Sequence, residues 1–81
     1  MTKSITKFTK PNCPMCTVTK SLYEGEHEEW AALNATITEV DITENPEAVS
    51  QHALSSVPTF LYNGKLYFGV GGYHRLKAEL E

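Results

Sequence analysis

Only two cysteines occur among the 81 residues, and they stand together at positions 13 and 16. No stretch is apolar over the roughly 20 residues that a membrane-spanning helix needs, so no such span is expected. No run of Lys or Arg forms a basic stripe, and the net charge is −3. The electrostatic footprint of a nucleic-acid binder is therefore missing. The opening residues, MTKSITKFTK, carry positive charges but no apolar centre and no small-residue cleavage site. They do not read as a secretory signal, and a cytoplasmic location is expected. In that setting one close cysteine pair does not make a disulfide-stapled scaffold. Internal repeats, low-complexity segments and linkers are also missing. A chain of this length makes one small domain, residues 1–81, that buries about 60–65% of its unfolded surface.

What is present is a regular succession of elements. SITKFT, with Ile5 and Phe8 among threonines, reads as a first strand. KPNC is a turn; Asn12 or Cys13 suits a helix N-cap, and Pro14 suits the first helical position, where its missing N–H costs nothing. Val18 and Leu22, four apart, give the helix from Pro14 to about Glu24 an apolar face. Gly25 ends or bends it. Trp30 and Leu33 then offer a second apolar face, with Trp30 expected to pack on the sheet. Glu24, Glu26, Glu28 and Glu29 read as a solvated face. TITEVDI is a β-branched strand, and TENPEAVSQHAL a helix capped by Thr43 or Asn45, with Ala48, Val49 and Leu54 inward. VPTFLY and KLYFGV flank Asn63–Gly64, the strongest short hairpin signal. Gly71 and Gly72 lead into a last helix, YHRLKAELE.

The order is βαβαββα. The first half is a βαβ unit with parallel strands, and the second a hairpin followed by a helix. The expected fold class is α/β, with a mixed four-stranded sheet and helices on both faces.

Two thiols at the start of a helix suggest three uses. Zinc needs four ligands, and the pair supplies two; His27, His52 and His74 are scattered over three elements, so no metal site is assigned. A permanent bridge three residues apart closes too small a loop to stabilise much. A strand, a turn, Cys-x-x-Cys and a helix together are the setting of a reversible redox pair. Unpaired N–H groups and the helix dipole favour a thiolate at the helix start, with a thiol pKa of about 3.5–7.5 at such sites. Cys13, at the cap, is expected to be the exposed nucleophile, and Cys16, one turn inside, the buried resolving thiol. Lys10 adds positive potential beside them.

With these residues the chain resembles the thioredoxin superfamily, and within it the glutaredoxin-like proteins. TKPNCPMCTVTK and VDITENPEAV look like the corresponding segments of the NrdH-redoxins, electron donors of ribonucleotide reductase. Pro14, after the first cysteine, is typical of glutaredoxins. SVPTF stands in the place of the superfamily's cis-proline segment, which implies a cis bond before Pro58 and a Val57 backbone that pairs with an extended substrate peptide. After Gly71 and Gly72, glutaredoxins carry acidic residues that hold glutathione; here Tyr73 and His74 stand there, closer to the NrdH-redoxin ending. Tyr73 could close over the site or simply pack.

The expected activity is that of a thiol–disulfide oxidoreductase and electron carrier. Cys13 and Cys16 would be catalytic, and Lys10, Pro14, Val57, Pro58, Gly71, Gly72 and Tyr73 would bind substrate. No bound cofactor is required. A monomer is expected, reduced by thioredoxin reductase or by glutathione and acting on ribonucleotide reductase or other protein disulfides. The alternatives are a glutathione-dependent glutaredoxin and, in a different class, an iron–sulfur cluster carrier.

Overall fold

The computed structural model describes residues 2–81. Its elements are β1 (Lys3–Thr9), α1 (Pro14–Gly25), α2 (His27–Ala32), β2 (Ala35–Asp41), α3 (Glu47–Gln51), β3 (Thr59–Tyr62), β4 (Lys65–Phe68) and α4 (Gly69–Leu80). The sheet order is β2-β1-β3-β4. β1 and β2 are parallel, while β3 is antiparallel to both β1 and β4. The mixed four-stranded sheet is thus the one expected from the order of elements. Asn63 and Gly64 both have positive φ, 52° and 80°, as the tightest hairpin turn requires.

Alternation along β1 divides the molecule into two faces. Ile5 points to the face covered by α1, α2 and α4, where it joins Trp30, Phe60, Tyr67, Tyr73 and Leu76 in the core. Phe8 points to the other face and meets the His52 ring at the end of α3, with ring centroids 5.1 Å apart. Helices therefore cover both sides of the sheet. Trp30 packs in the core as expected. Val18 and Val49 do not, being 40% and 38% exposed. The inward side of α1 is instead made by Cys16 and Thr19, with Leu22 and Tyr23 beyond them. The threonine hides its hydroxyl by donating to the Met15 and Cys16 carbonyls, so a polar residue occupies the buried stripe without an unmet hydrogen bond.

The last helix begins earlier than its sequence suggests, at Gly69, and includes Gly71 and Gly72. Packing overrides propensity here. At Gly72 the helix crosses so close to β4 that a Cβ would stand 2.5 Å from the Tyr67 carbonyl carbon, whereas a Cβ at Gly71 would meet nothing within 4 Å.

A polar network crosses the helical layer. The Trp30 indole Nε1 donates to the Tyr73 hydroxyl at 3.0 Å, and that hydroxyl donates to Glu26. Lys77 donates to Glu26 at 2.9 Å and to Glu29 at 2.7 Å. Glu26 and Glu29 are thus not merely solvated: they tie the α1–α2 corner to α4. Burial, and next the hydrogen bond to Glu26, push the Tyr73 phenol up to about 12. The Tyr73 hydrogen bond, and then Lys77, hold the Glu26 carboxyl below its ordinary 4.5.

Two outcomes follow. Gly71→Ala should stabilise by about 0.5–1 kcal/mol through helix propensity. Gly72→Ala should instead lower the Tm, because overpacking costs about 1–3 kcal/mol; thermal unfolding of the two variants separates these effects. The depressed Glu26 pKa gives a stabilisation that is full above pH 4.5 and is lost as pH falls through the folded-state value. The Tm gap between wild type and Glu26→Gln should therefore be largest near neutrality and shrink in acid; a gap that is constant with pH would remove this role.

Candidate active site

The site lies where β1 ends and α1 begins. Asn12 turns the chain with φ 58°, a left-handed conformation that asparagine tolerates better than most residues. Cys13 is then the N-cap of α1, in extended conformation, and Pro14 follows in the first turn. Cys13 and Cys16 are joined by a disulfide, with Cα atoms 5.2 Å apart. The Cys16 amide donates to Cys13 Sγ at 3.2 Å. That amide is one of the N–H groups a helix start leaves without an intrahelical partner, and it would favour a thiolate at Cys13 once the bridge opens.

Exposure does not separate the two sulfurs as expected. Cys13 is 8% exposed and Cys16 5%, and the Val57 carbonyl of the loop before β3 lies against Cys13 Sγ. The asymmetry resides in hydrogen bonding: Cys13 occupies the cap, and Cys16 supplies the amide.

The Val57–Pro58 peptide bond is cis, as the resemblance implied. Cys13 Sγ stands 3.9 Å from the Val57 carbonyl oxygen, so the loop faces the disulfide. Pro58 is fully buried, and its carbonyl accepts from the Gly69 amide at 2.9 Å. The start of α4 therefore braces the proline loop. Lys10 is exposed and borders two clefts. One, of about 190 Å³, runs past Ile42, Val49, Leu54 and Val57; the other, of about 220 Å³, is lined by Cys13, Cys16, Thr17, Lys20 and Glu39 among others.

Lys10, Pro14, Val57 and Pro58 thus gather around the cysteine pair. Gly72 and Tyr73 do not offer a binding surface. Gly72 is buried against Tyr67, and Tyr73 is 0% exposed with its hydroxyl engaged by Trp30 and Glu26. Gly71 is exposed on α4. His74 is exposed with its ring against Tyr73. The acidic residues of a glutathione site could therefore not be restored at position 73 without burying a carboxylate in the core.

Lys7 and Glu39 belong to this region and were missed in the sequence. They are direct neighbours across β1 and β2. Lys7 lies under α1, and its Nζ donates to the Cys16 carbonyl at 2.8 Å and to Glu39 at 3.1 Å. The signal was weak: Lys7 shares the strand face of Ile5, but a lysine in a strand ordinarily reads as solvent-facing. Among the described residues, no group of three or more His, Cys, Asp or Glu is placed to hold a metal.

After reduction, iodoacetamide at neutral pH should alkylate Cys13 ahead of Cys16, because only Cys13 receives a helix-start amide. Peptide mapping of partly labelled protein reads the order, and faster labelling of Cys16 would reverse the two roles.

Comparison with known proteins agrees with this geometry. The Thioredoxin family matches residues 1–80. A thioredoxin of Methanocaldococcus jannaschii is 30% identical over 61 residues, which cover 75% of this chain and 71% of that protein. The thioredoxin structure from Trypanosoma brucei brucei superposes with a TM-score of 0.73 at 24% identity, over 98% of this chain and 72% of that one. That of Fasciola hepatica gives 0.73 at 18% identity, over 98% and 78%. The two structures share the fold, and the family match extends over nearly the whole sequence: this chain belongs to the thioredoxin family.

Proposed function

We propose that the chain is a dithiol–disulfide oxidoreductase that reduces protein disulfides. The observation that carries this reading is the Cys13–Cys16 bridge at the start of α1, facing a cis-proline loop. The Cys13 thiolate attacks a substrate disulfide and forms a mixed disulfide. Cys16 then attacks Cys13, the substrate leaves reduced, and the protein leaves oxidised. An extended substrate segment would lie along Val57, in the cleft bordered by Lys10, Val49 and Leu54.

The finer reading is an electron donor of the NrdH-redoxin kind, cytoplasmic and monomeric, reduced by thioredoxin reductase and serving ribonucleotide reductase. The burial of Tyr73 favours it over a glutathione-dependent glutaredoxin, since the position that would carry a glutathione-binding acid is filled by a core side chain. An iron–sulfur carrier is the reading from another class, and visible absorbance of the purified protein would favour it.

Cys16→Ser should accumulate a mixed disulfide with a protein substrate, while Cys13→Ser should form none and show no turnover. NADPH oxidation coupled through thioredoxin reductase should exceed that coupled through glutathione and its reductase. Turnover by Cys13→Ser would remove the dithiol mechanism; faster glutathione coupling would make the protein a glutaredoxin in activity.

A further inference from the structure

Lys7 is a charged side chain with 0% exposure. Burying an ammonium is costly unless it is paired and hydrogen-bonded, and Lys7 makes only part of that good. Its partners are the Glu39 carboxylate, the Cys16 carbonyl and, 5.0 Å from Nζ, the face of the Tyr23 ring. Burial drags its pKa below the ordinary lysine value, against the hydrogen bond and charge of Glu39. The sheet core could hold an apolar residue here, as Phe60 does directly across on β3.

The Lys7 ammonium lies against the helix turn that carries the cysteines. Its strongest contact outside Glu39 is with the backbone of Cys16. Glu39 is one-third exposed and lines the same cleft as Cys13 and Cys16. It receives Lys7 at 3.1 Å, the Tyr23 hydroxyl at 2.7 Å and Lys20 at 3.9 Å. Burial would raise the Glu39 carboxyl, but the hydrogen bonds from Tyr23 and Lys7 outweigh it and hold the group below its ordinary value. One carboxylate thus serves two cations. Two further charges of α1 act on Lys7 in opposite senses: Lys20 disfavours its ammonium form, and Glu24 favours it. From α4, Lys77 turns instead to Glu26 and Glu29. The buried cation is the least screened charge in this group, since water reaches Glu39 and Lys20 but not Lys7.

We propose that Lys7 is a positioning residue that acts as the buried counter-charge of the cysteine pair, holding the first turn of α1 by the Cys16 carbonyl and favouring the thiolate forms, with Glu39 as the opposing charge that limits the effect. This role rests on the redox reading above. In the resolving step the Cys16 thiol gives its proton to solvent in the cleft. Its sulfur bonds to Cys13 Sγ, the Cys13–substrate S–S bond breaks, and the electron pair leaves with the substrate sulfur, which takes up a proton. The substrate disulfide gains two electrons and the cysteine pair loses them. A cation behind Cys16 favours the proton loss. By stabilising the reduced, ionised pair it also makes the protein a weaker reductant.

The test is the thiolate absorbance of the reduced protein against pH in wild type, Lys7→Met and Glu39→Gln, with the disulfide equilibrium against glutathione measured for each. Lys7→Met should raise the thiol titration by about one unit and move the equilibrium by about tenfold, ~30 mV, towards a stronger reductant. Glu39→Gln should shift both in the opposite direction, and Lys7→Arg should restore the wild-type titration. A structural role would not split the two variants by sign. Shifts in the same direction, or shifts smaller than about twofold in thiolate fraction, overturn the proposal. If Lys7→Met unfolds, Glu39→Gln decides alone: a lower thiol titration supports the role, and a higher or unchanged one overturns it. Disulfide turnover of wild type is scored separately. An inactive wild type with opposite titration shifts would sink the redox reading and leave the charge pair standing; an active one without them would do the reverse.

Discussion

The first turn of α1 is the constraint on which the site depends, since it carries both cysteines within four residues. It is fixed at three points. Cys13 caps it and receives the Cys16 amide, Lys7 holds the Cys16 carbonyl from beneath, and the cis-proline loop faces the sulfur from the other side. Each comes from a different part of the sequence: the cap from the turn, the lysine from β1, the loop from the approach to β3. Four residues can therefore keep one arrangement in a domain this small only because the sheet brings those segments together. Proximity of the two sulfurs is a local matter of helix geometry; their orientation towards a partner is a tertiary one.

The helical layer meets a different requirement. α2 is a helix of six residues and α3 of five, too short to be stable alone. Docking makes up the deficit. Trp30 carries α2 into the core, and the Glu26, Tyr73 and Lys77 contacts close the corner between α1 and α2 onto α4. On the opposite face α3 has only Ala48 buried, with His52 against Phe8. The two faces are unequally consolidated, and the lighter one borders the cleft proposed for substrate.

Most of this fold was legible in the residues. Strand alternation, the Asn63–Gly64 turn and the proline after Cys13 are local signals with local causes, and they produced the order of elements and the cysteine pair at a helix start. The cis bond at Pro58 came from family resemblance, because nothing local distinguishes it from a trans bond. What failed did so for tertiary reasons. Val18 looked like core by spacing, but Thr19 is buried instead because its hydroxyl is satisfied within the helix. Gly71 and Gly72 looked like a loop, but one of them permits the close crossing of α4 over β4. For Tyr73 a lid and a packed side chain were equal readings, and Trp30 and Glu26, from 43 and 47 residues away, hold it in the core. Lys7 was overlooked because a lysine in a strand reads as a solvent-facing residue until its neighbours are known.

The bond from the Gly69 amide to the Pro58 carbonyl joins the proline loop to the beginning of α4. Since α4 is also fastened to the α1–α2 corner through Lys77, the proline loop and the far end of the helical layer are joined through one helix. Under the proposed function, selectivity for a protein substrate would not be confined to residues that touch it. A change in the tilt of α4, made by substitutions remote from the sulfurs, would re-aim the Val57 carbonyl and the strand edge offered to a client. On that reading the terminal helix would give the domain a route to acquire new clients while the proposed redox chemistry stays constant.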